Sequence, residues 1–486
     1  MGLIQAFNRF LAGLNFGKAS PAKVRLFRYM PIIWVAVIGV ALFQLAIIPH
    51  VDTYNTKRVI QFACLGVGLL SLLFSKKCSC SNEVNASSIY KIKGGRLYSA
   101  CLLLGAGVVG SIINAKFPVW ALLDFEYLIL SLGMVWFVSL CFHGASLLIW
   151  KWFGILVIAT MLLFSLRSSF EVLLAAPFSN KLTVTPGFAN IRNYANVAVV
   201  LVPLSLLALI NRASIYLRLL AWVVGIFWLW VLVITEARSG ILSLGLAAIA
   251  VAIFCGKEGR KCLSRFAWMS FICTLLYLIF PVQKTAGWTK DIASSSGRIE
   301  LWYDAWIYFI DSFPFGIGGM MFAASGNISS ASPHNLMLTL MAEWGFLALL
   351  GIAIFSWLLF LISDNRKPQD IMMHVRVPIL WGLLAGLLNL QFAGAHIDPF
   401  GSITLALAAG AYLSFVTVKR STPGTAGSGY IKPLSVILLC VWGHAGFLGY
   451  SLYQFSDKTR ASCAEESAGV LYPRIWVQGR LDCGSS

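Results

Sequence analysis

The chain has 486 residues, of which 59% are hydrophobic and only 12% are charged. Soluble domains carry about 25% charged residues, so this composition excludes an ordinary soluble protein. It indicates instead an all-α, polytopic integral membrane protein. The formal net charge is +18, but the basic residues are spread through short loops. That distribution is typical of cytoplasmic loops and argues against nucleic acid as a partner.

The apolar segments predict 12 or 13 transmembrane helices, because each spanning helix needs about 20 mostly apolar residues. The segments 59–74 and 195–210 are the weakest. Residues 1–30 are basic and precede the first apolar run, which is long enough to span and lacks a small-residue cleavage site, so we expect a retained first helix. In chain order the segments are 31–48, 59–74, 97–113, 121–142, 147–166, 195–210, 218–235, 240–255, 266–282, 335–361, 377–395, 400–418 and 433–453.

The orientation of the chain follows from its positive charges, since short cytoplasmic loops collect Lys and Arg. With the N-terminus in the cytoplasm, most of the Lys and Arg residues fall on the cytoplasmic side. Residues 1–486 then form a single transmembrane domain, with a large periplasmic loop at 283–334 and a periplasmic tail at 454–486. Cys463 and Cys483 both fall in this tail, where an oxidising compartment favours a disulfide between them.

Within the large loop, the stretch SSGRIELWYDAWIYFIDSFP predicts an amphipathic helix on the membrane surface. We expect this helix to begin after Ser-Gly and to end at Pro314, followed by the Gly-rich turn FPFGIGG. Acidic and polar residues fill the side opposite its apolar residues. The apolar residues at helical spacing are Ile299, Trp302, Trp306 and Phe309.

Four basic residues are predicted together at the outer boundary of the membrane: Arg192, Arg238, Arg298 and His334. An arginine makes two charge-assisted hydrogen bonds to phosphate oxygens and keeps its proton. A histidine at the same level exchanges a proton near neutral pH. These groups suit transfer from a lipid-linked diphosphate.

Three of these residues also have a structural interpretation. Arg238 could only snorkel to the interface, Arg298 could pair with Glu300 or a lipid phosphate, and His334 could simply cap the next helix. Glu343, two turns below His334, could face the same pocket or pair internally. A transporter or flippase is the alternative from another class, although transporters more often carry ionisable groups at mid-membrane.

Three motifs on this face resemble the O-antigen ligase and polymerase superfamily, which includes O-oligosaccharyltransferases. His334-Asn335, nine residues and then Gly345 are similar to its signature at the end of the large loop. Ser-Gly-Arg298-Ile-Glu-Leu-Trp302, followed by Phe-Gly-Ile-Gly, resembles the pattern upstream of that histidine. Thr-Glu-Ala-Arg238-Ser-Gly resembles the second essential arginine of the family.

The motifs that carry the resemblance lie within roughly residues 185–350. The rest of the chain resembles the family only in its arrangement of predicted membrane helices. Two features depart from the family. Ala348 stands three residues after Gly345, where ligases usually carry Gly or another residue, and the thirteen segments exceed the twelve helices that are frequent in the family.

The resemblance implies a GT-C type, metal-independent and cofactor-free glycosyltransferase of the bacterial inner membrane, with its active site facing the periplasm. Such enzymes move a glycan from undecaprenyl diphosphate to an acceptor hydroxyl with inversion. The implied catalytic residues are His334, Arg298 and Arg238, in which the arginines hold the diphosphate and the histidine accepts or orients the hydroxyl proton. The implied substrate-binding residues are Arg192, Asn335, Trp302 and Glu343.

The acceptor stays open at this stage. Lipid A–core oligosaccharide is the acceptor we expect first, which would make the protein an O-antigen ligase of lipopolysaccharide biosynthesis. A protein hydroxyl such as a pilin serine, or a second lipid-linked glycan, would make it an O-oligosaccharyltransferase or a polymerase. In each case the partners are the lipid-linked glycan, the acceptor and membrane lipids.

Overall fold

The protein is described by a computed structural model. The residues that it describes are 33, 53–74, 94–143, 145–175, 188, 191–210, 214–279, 297–324, 332–364, 370–394, 396–416, 431–462, 470–471 and 480–481. In chain order the helices are α1 (Thr53–Phe74), α2 (Gly94–Asn114), α3 (Pro118–Phe142), α4 (Leu147–Ala175), α5 (Ile191–Ser205), α6 (Ile215–Ile234), α7 (Arg238–Phe254), α8 (Gly256–Ile279), α9 (Arg298–Asp311), α10 (Met321–Ala324), α11 (Leu336–Asp364), α12 (Asp370–Asn389), α13 (Pro399–Val416) and α14 (Ile431–Ser462). A 3₁₀ turn, Leu206–Leu209, extends α5.

The expected all-α membrane architecture is confirmed. Within the described part of the chain, eight helices are long and apolar enough to cross a membrane, and three shorter apolar helices accompany them. The protein is therefore a multi-pass membrane protein. Every predicted segment from 59–74 onward overlaps a helix, with bounds that differ by up to ten residues, whereas 31–48 lies outside the described residues except for Ile33.

The C-terminal tail adds a detail that apolar periodicity could not predict. α14 continues past the predicted end at residue 453, and the short strands β1 (Val470–Leu471) and β2 (Arg480–Leu481) pair antiparallel. Cys463 and Cys483 lie outside the described residues, so their disulfide stays a prediction.

Helix pairs in the bundle approach closely because small residues lie between them. α2 packs along α11, and a Cβ on Gly107 of α2 would lie 2.4 Å from the backbone nitrogen of Ala348. Small residues at such contacts let membrane helices pack backbone to backbone. Ala348, which departs from the family pattern, thus keeps the small size that this contact requires.

Helix α9 has two apolar faces rather than the single one that we predicted. Leu301 and Phe309 are buried against the protein, whereas Tyr303 and Ile310 are exposed. Trp302 is only half-buried. The proposed grouping of Trp302 and Phe309 with the exposed Ile299 and Trp306 is therefore wrong, because one apolar stripe covers the protein and another is left uncovered.

Candidate active site

The start of α5 is fixed by a cluster of aromatic rings. Tyr194 is fully buried, stacks on Phe164 at 5.2 Å and donates its hydroxyl to the Trp228 carbonyl at 2.9 Å. Phe188 packs edge-on against the Tyr194 ring at 5.5 Å. These contacts hold the first turn of α5, so the half-buried Arg192 projects from a rigid base.

Arg192 and His334 make the central contact of the site. The Arg192 Nη1 lies 2.7 Å from His334 Nε2. A guanidinium can only donate, so Nε2 is the accepting, unprotonated nitrogen and the imidazole is neutral. Burial, together with the charges of Arg192 and Arg298, lowers the pKa of His334 from 6.5 to about 3.

The backbone around His334 is held in an unusual conformation. His334 has φ +54°, in the left-handed region, and its N–H donates to the Ser332 hydroxyl at 3.3 Å. The alternative in which His334 caps α11 is wrong, because the Asn335 side-chain oxygen accepts from Leu338 N–H at 3.0 Å. Asn335 is thus the cap, and it leaves the imidazole of His334 available to the site.

Gly345 explains the glycine of the His-Asn motif. It lies at φ +74° and ψ −176° inside α11, a region that is almost exclusive to glycine. The turn containing Gly316 docks at this break, where Ile317 N–H donates to the Ala342 carbonyl and Gly318 N–H donates to the Glu343 carbonyl, both at 2.9 Å. The break therefore joins the segment that follows α9 to the helix that follows His334.

Arg298 enters the site from the first turn of α9. It is half-buried, and its Nε has no hydrogen-bond partner in the described part of the chain. Burial, then the charges of Arg192 and Arg238, lowers the pKa of Arg298. Trp302, one turn further along α9, donates its ring N–H to the carbonyl of Pro333 at 3.0 Å. This bond ties α9 directly to the residue before His334.

Arg238 lies at the edge of this cluster. It begins α7 and is 44% exposed, with its guanidinium 3.6 Å from the Glu236 carboxylate. Among the described ion pairs, no Arg298–Glu300 pair occurs, so pairing with Glu300 is wrong, whereas pairing of Arg298 with a lipid phosphate stays a prediction. Arg192, Arg298 and His334 form the core of the basic cluster, and Arg238 contributes charge from its solvent-exposed side.

Glu343 has the internal pairing that was one of its two predicted alternatives. Its side chain is fully buried, and its Oε1 accepts from Phe322 N–H in α10 at 3.3 Å. It also lines a cavity of about 250 Å³ together with Leu336 and Thr339 from the start of α11. Glu343 therefore holds the loop against α11 and borders a cavity beside the site.

A buried polar network beneath the site was missed in the sequence. Asp398 is fully buried and accepts from Gly401 N–H at 2.8 Å and from the Asn196 side chain. Asn196 in turn accepts from Asn389 at 2.8 Å. Burial raises the pKa of Asp398 to about 6, although Lys57 opposes this. Since Asn196 lies one turn after Arg192, this network supports the arginine from below.

Lys57 belongs to the same network. It is fully buried, and its ammonium lies 4.5 Å from the Phe188 ring centre and 5.5 Å from that of Phe400. The available sequence signals were two consecutive basic residues entering a predicted span, and Asp398 directly before the proline of another.

Comparison with known proteins identifies the central region. Residues 223–353 match the family model described as O-antigen ligase. This segment contains Arg238, Arg298 and His334, whereas Arg192 lies before it. No curated protein matches the chain. The resemblance found in the sequence is confirmed over this segment, which is similar to the O-antigen ligase family, and the chain is a multi-pass membrane protein.

Proposed function

We propose that this protein transfers a glycan from undecaprenyl diphosphate to an acceptor hydroxyl at the periplasmic face of the bacterial inner membrane. The observation that carries the proposal is the cluster of Arg192, Arg298 and His334, with Arg238 beside it, at one end of the membrane helices. The charges of Arg192 and Arg298 act on one neutral imidazole, and Arg238 adds a third positive charge beside Arg298. Such a cluster attracts a polyanion.

The arginines hold the diphosphate and stabilise the charge that develops as the sugar leaves. The buried Nε of Arg298 has no described partner, which is costly unless an anion binds there. Repulsion from Arg192 and Arg238 adds to this cost. A diphosphate removes both penalties, so the arrangement is preorganised for the leaving group.

His334 becomes a competent base only after the donor has bound. In the free protein its Nε2 is occupied by Arg192 at 2.7 Å, and burial, followed by the adjacent positive charges, holds the pKa of His334 low. Phosphate oxygens are better acceptors for Arg192 than an imidazole is. The donor thus draws Arg192 away, offsets the positive charge, and leaves Nε2 to take the proton of the attacking hydroxyl.

The remaining residues position these groups. Asn335 fixes the start of α11, and Trp302 keeps α9 against the residue before His334. Attack opposite the leaving diphosphate inverts the anomeric carbon, and the glycosyl diphosphate is already activated, so positioning and charge stabilisation suffice without a metal.

The topology completes the proposal. The distribution of Lys and Arg in the sequence favours a periplasmic location for the loop 283–334 and the tail 454–486, as parts of a single transmembrane domain. Lipid A–core oligosaccharide is the acceptor that we propose first, and a pilin serine or a second lipid-linked glycan are the others.

Reconstituted protein distinguishes these acceptors when it is given radiolabelled glycan on undecaprenyl diphosphate and each acceptor separately. We expect label on lipid A–core, and none with His334→Ala. Label only on pilin, or only in longer lipid-linked chains, would identify a different acceptor. A donor that stays intact with all three acceptors would contradict the proposed transfer.

A further inference from the structure

A second cavity, of about 460 Å³, lies at the other end of the helices. α5 and its 3₁₀ extension cover the 18 residues from Arg192 to Leu209. At 1.5 Å per residue this is about 27 Å, close to the ~30 Å thickness of a bilayer core. Leu209 lines the cavity, so this cavity and the arginine–histidine cluster open at opposite membrane faces.

The lining of this cavity, which we call the basic pocket, combines charge with an apolar floor. Its ionisable side chains are Glu258, Lys261, Arg265 and His374. Its apolar floor includes Leu147, Leu206, Leu209 and Val377. Leu206 and Val377 are buried, whereas Lys261 and His374 are exposed and lie at the rim. A pocket that is polar at its rim and apolar below matches a molecule whose headgroup is charged and whose tail is not.

The contacts within the basic pocket leave it with positive charge. The Glu258 carboxylate uses one oxygen for Lys261 Nζ at 2.6 Å and the other for His374 Nδ1 at 2.8 Å. Lys261 keeps further N–H donors beyond this bond. Arg265 makes no hydrogen bond or ion pair with the residues that the structure describes. One carboxylate therefore faces two permanent cations and a histidine.

We propose that the basic pocket binds the phosphate headgroup of an anionic membrane lipid, with Arg265 and Lys261 as its donors. Basic pockets between transmembrane helices are suited to anionic headgroups because the phosphate stays at the interface while the acyl chains stay in the bilayer. Glu258 orients Lys261 and His374 toward the headgroup, and the apolar floor contacts the first part of the chains.

The test uses the full-length protein, purified in detergent and stripped of lipid. Native mass spectrometry measures the dissociation constant of its complex with each of three ligands. They are phosphatidylglycerol, zwitterionic phosphatidylcholine and the soluble ester glycerol 3-phosphate. Arg265→Gln removes one charge from the pocket. The control is Arg260→Gln, which removes the same charge from an exposed position on the same helix, α8, outside the lining of the pocket.

We expect phosphatidylglycerol to bind more tightly than phosphatidylcholine, and Arg265→Gln to weaken it about tenfold, as expected for one charged hydrogen bond. Arg260→Gln should leave the affinity unchanged. Equally weakened phosphatidylglycerol binding in the two variants would contradict binding in the basic pocket. Binding of glycerol 3-phosphate as tight as that of the lipid would contradict a lipid ligand. None of these measurements depends on glycan transfer.

Discussion

Replacing Gly345 with alanine should separate the two halves of the candidate active site. At φ +74° and ψ −176° an alanine costs about 1–3 kcal/mol in backbone strain. Its Cβ would also lie 2.4 Å from the Pro314 carbonyl oxygen, so the docked turn must move. If two of the hydrogen bonds across this contact are lost, at roughly 0.5–1.5 kcal/mol each, the total penalty is about 2–6 kcal/mol.

This displacement should also move Arg298 in the candidate active site, because the displaced turn directly follows α9, the helix that carries Arg298. We expect Gly345→Ala to lower the unfolding temperature and to reduce glycan transfer by about 100-fold or more, as for loss of a charge-stabilising group. The control is Gly105→Ala, since a Cβ on that helical glycine meets nothing within 4 Å. Wild-type stability and transfer in Gly345→Ala would refute this explanation of the motif glycine.

Three further predictions follow from the contacts around the site. Asp398→Asn removes the negative charge that faces the buried Lys57 and should lower the unfolding temperature. Adding Lys57→Met to the same protein should restore most of the lost unfolding temperature. Additive losses in this double-mutant cycle would contradict the pairing of Lys57 with Asp398. The pKa of His334 is about 3 in the fold and 6.5 as its ordinary value, so the unfolded chain binds the extra proton and stability should fall as pH drops from 6.5 toward 3. His334→Gln should flatten that slope in thermal unfolding, and an unchanged slope would count against the buried, neutral imidazole. Trp302→Phe removes one hydrogen bond worth about 1 kcal/mol and should slow glycan transfer several-fold. Trp306→Phe, at an exposed position on the same helix, should leave the rate unchanged. Equal transfer rates in the two variants would exclude a positioning role for Trp302.

The sequence predicted most of the bundle because apolar length alone defines a membrane helix. It also predicted that Arg238, Arg298 and His334 lie near one another, since three short motifs each occur at a helix start. The spacing of apolar residues could not show which face of α9 packs against the protein and which is left uncovered. Lipid and protein interior both select apolar side chains, so the two faces look alike in the sequence.

The remaining features depend on contacts between distant parts of the chain. Nothing local to Arg192 indicates that it donates to His334, 142 residues later. Likewise, Asn196 and Asn389 are bonded across 193 residues, and Lys57 meets Asp398 only after the bundle has assembled. Long-range polar pairs of this kind leave no periodic pattern that a single sequence displays.

The account depends most on the basic cluster, and one variant tests it directly. Arg298→Ala should be reconstituted beside Arg260→Ala, and release of labelled glycan from undecaprenyl diphosphate should be measured with the preferred acceptor. We predict a loss of about 100–1000-fold for Arg298→Ala, a rate equal to wild type for Arg260→Ala, and normal membrane insertion for both. An Arg298→Ala protein that transfers glycan at the wild-type rate would contradict the assignment of the diphosphate to this cluster.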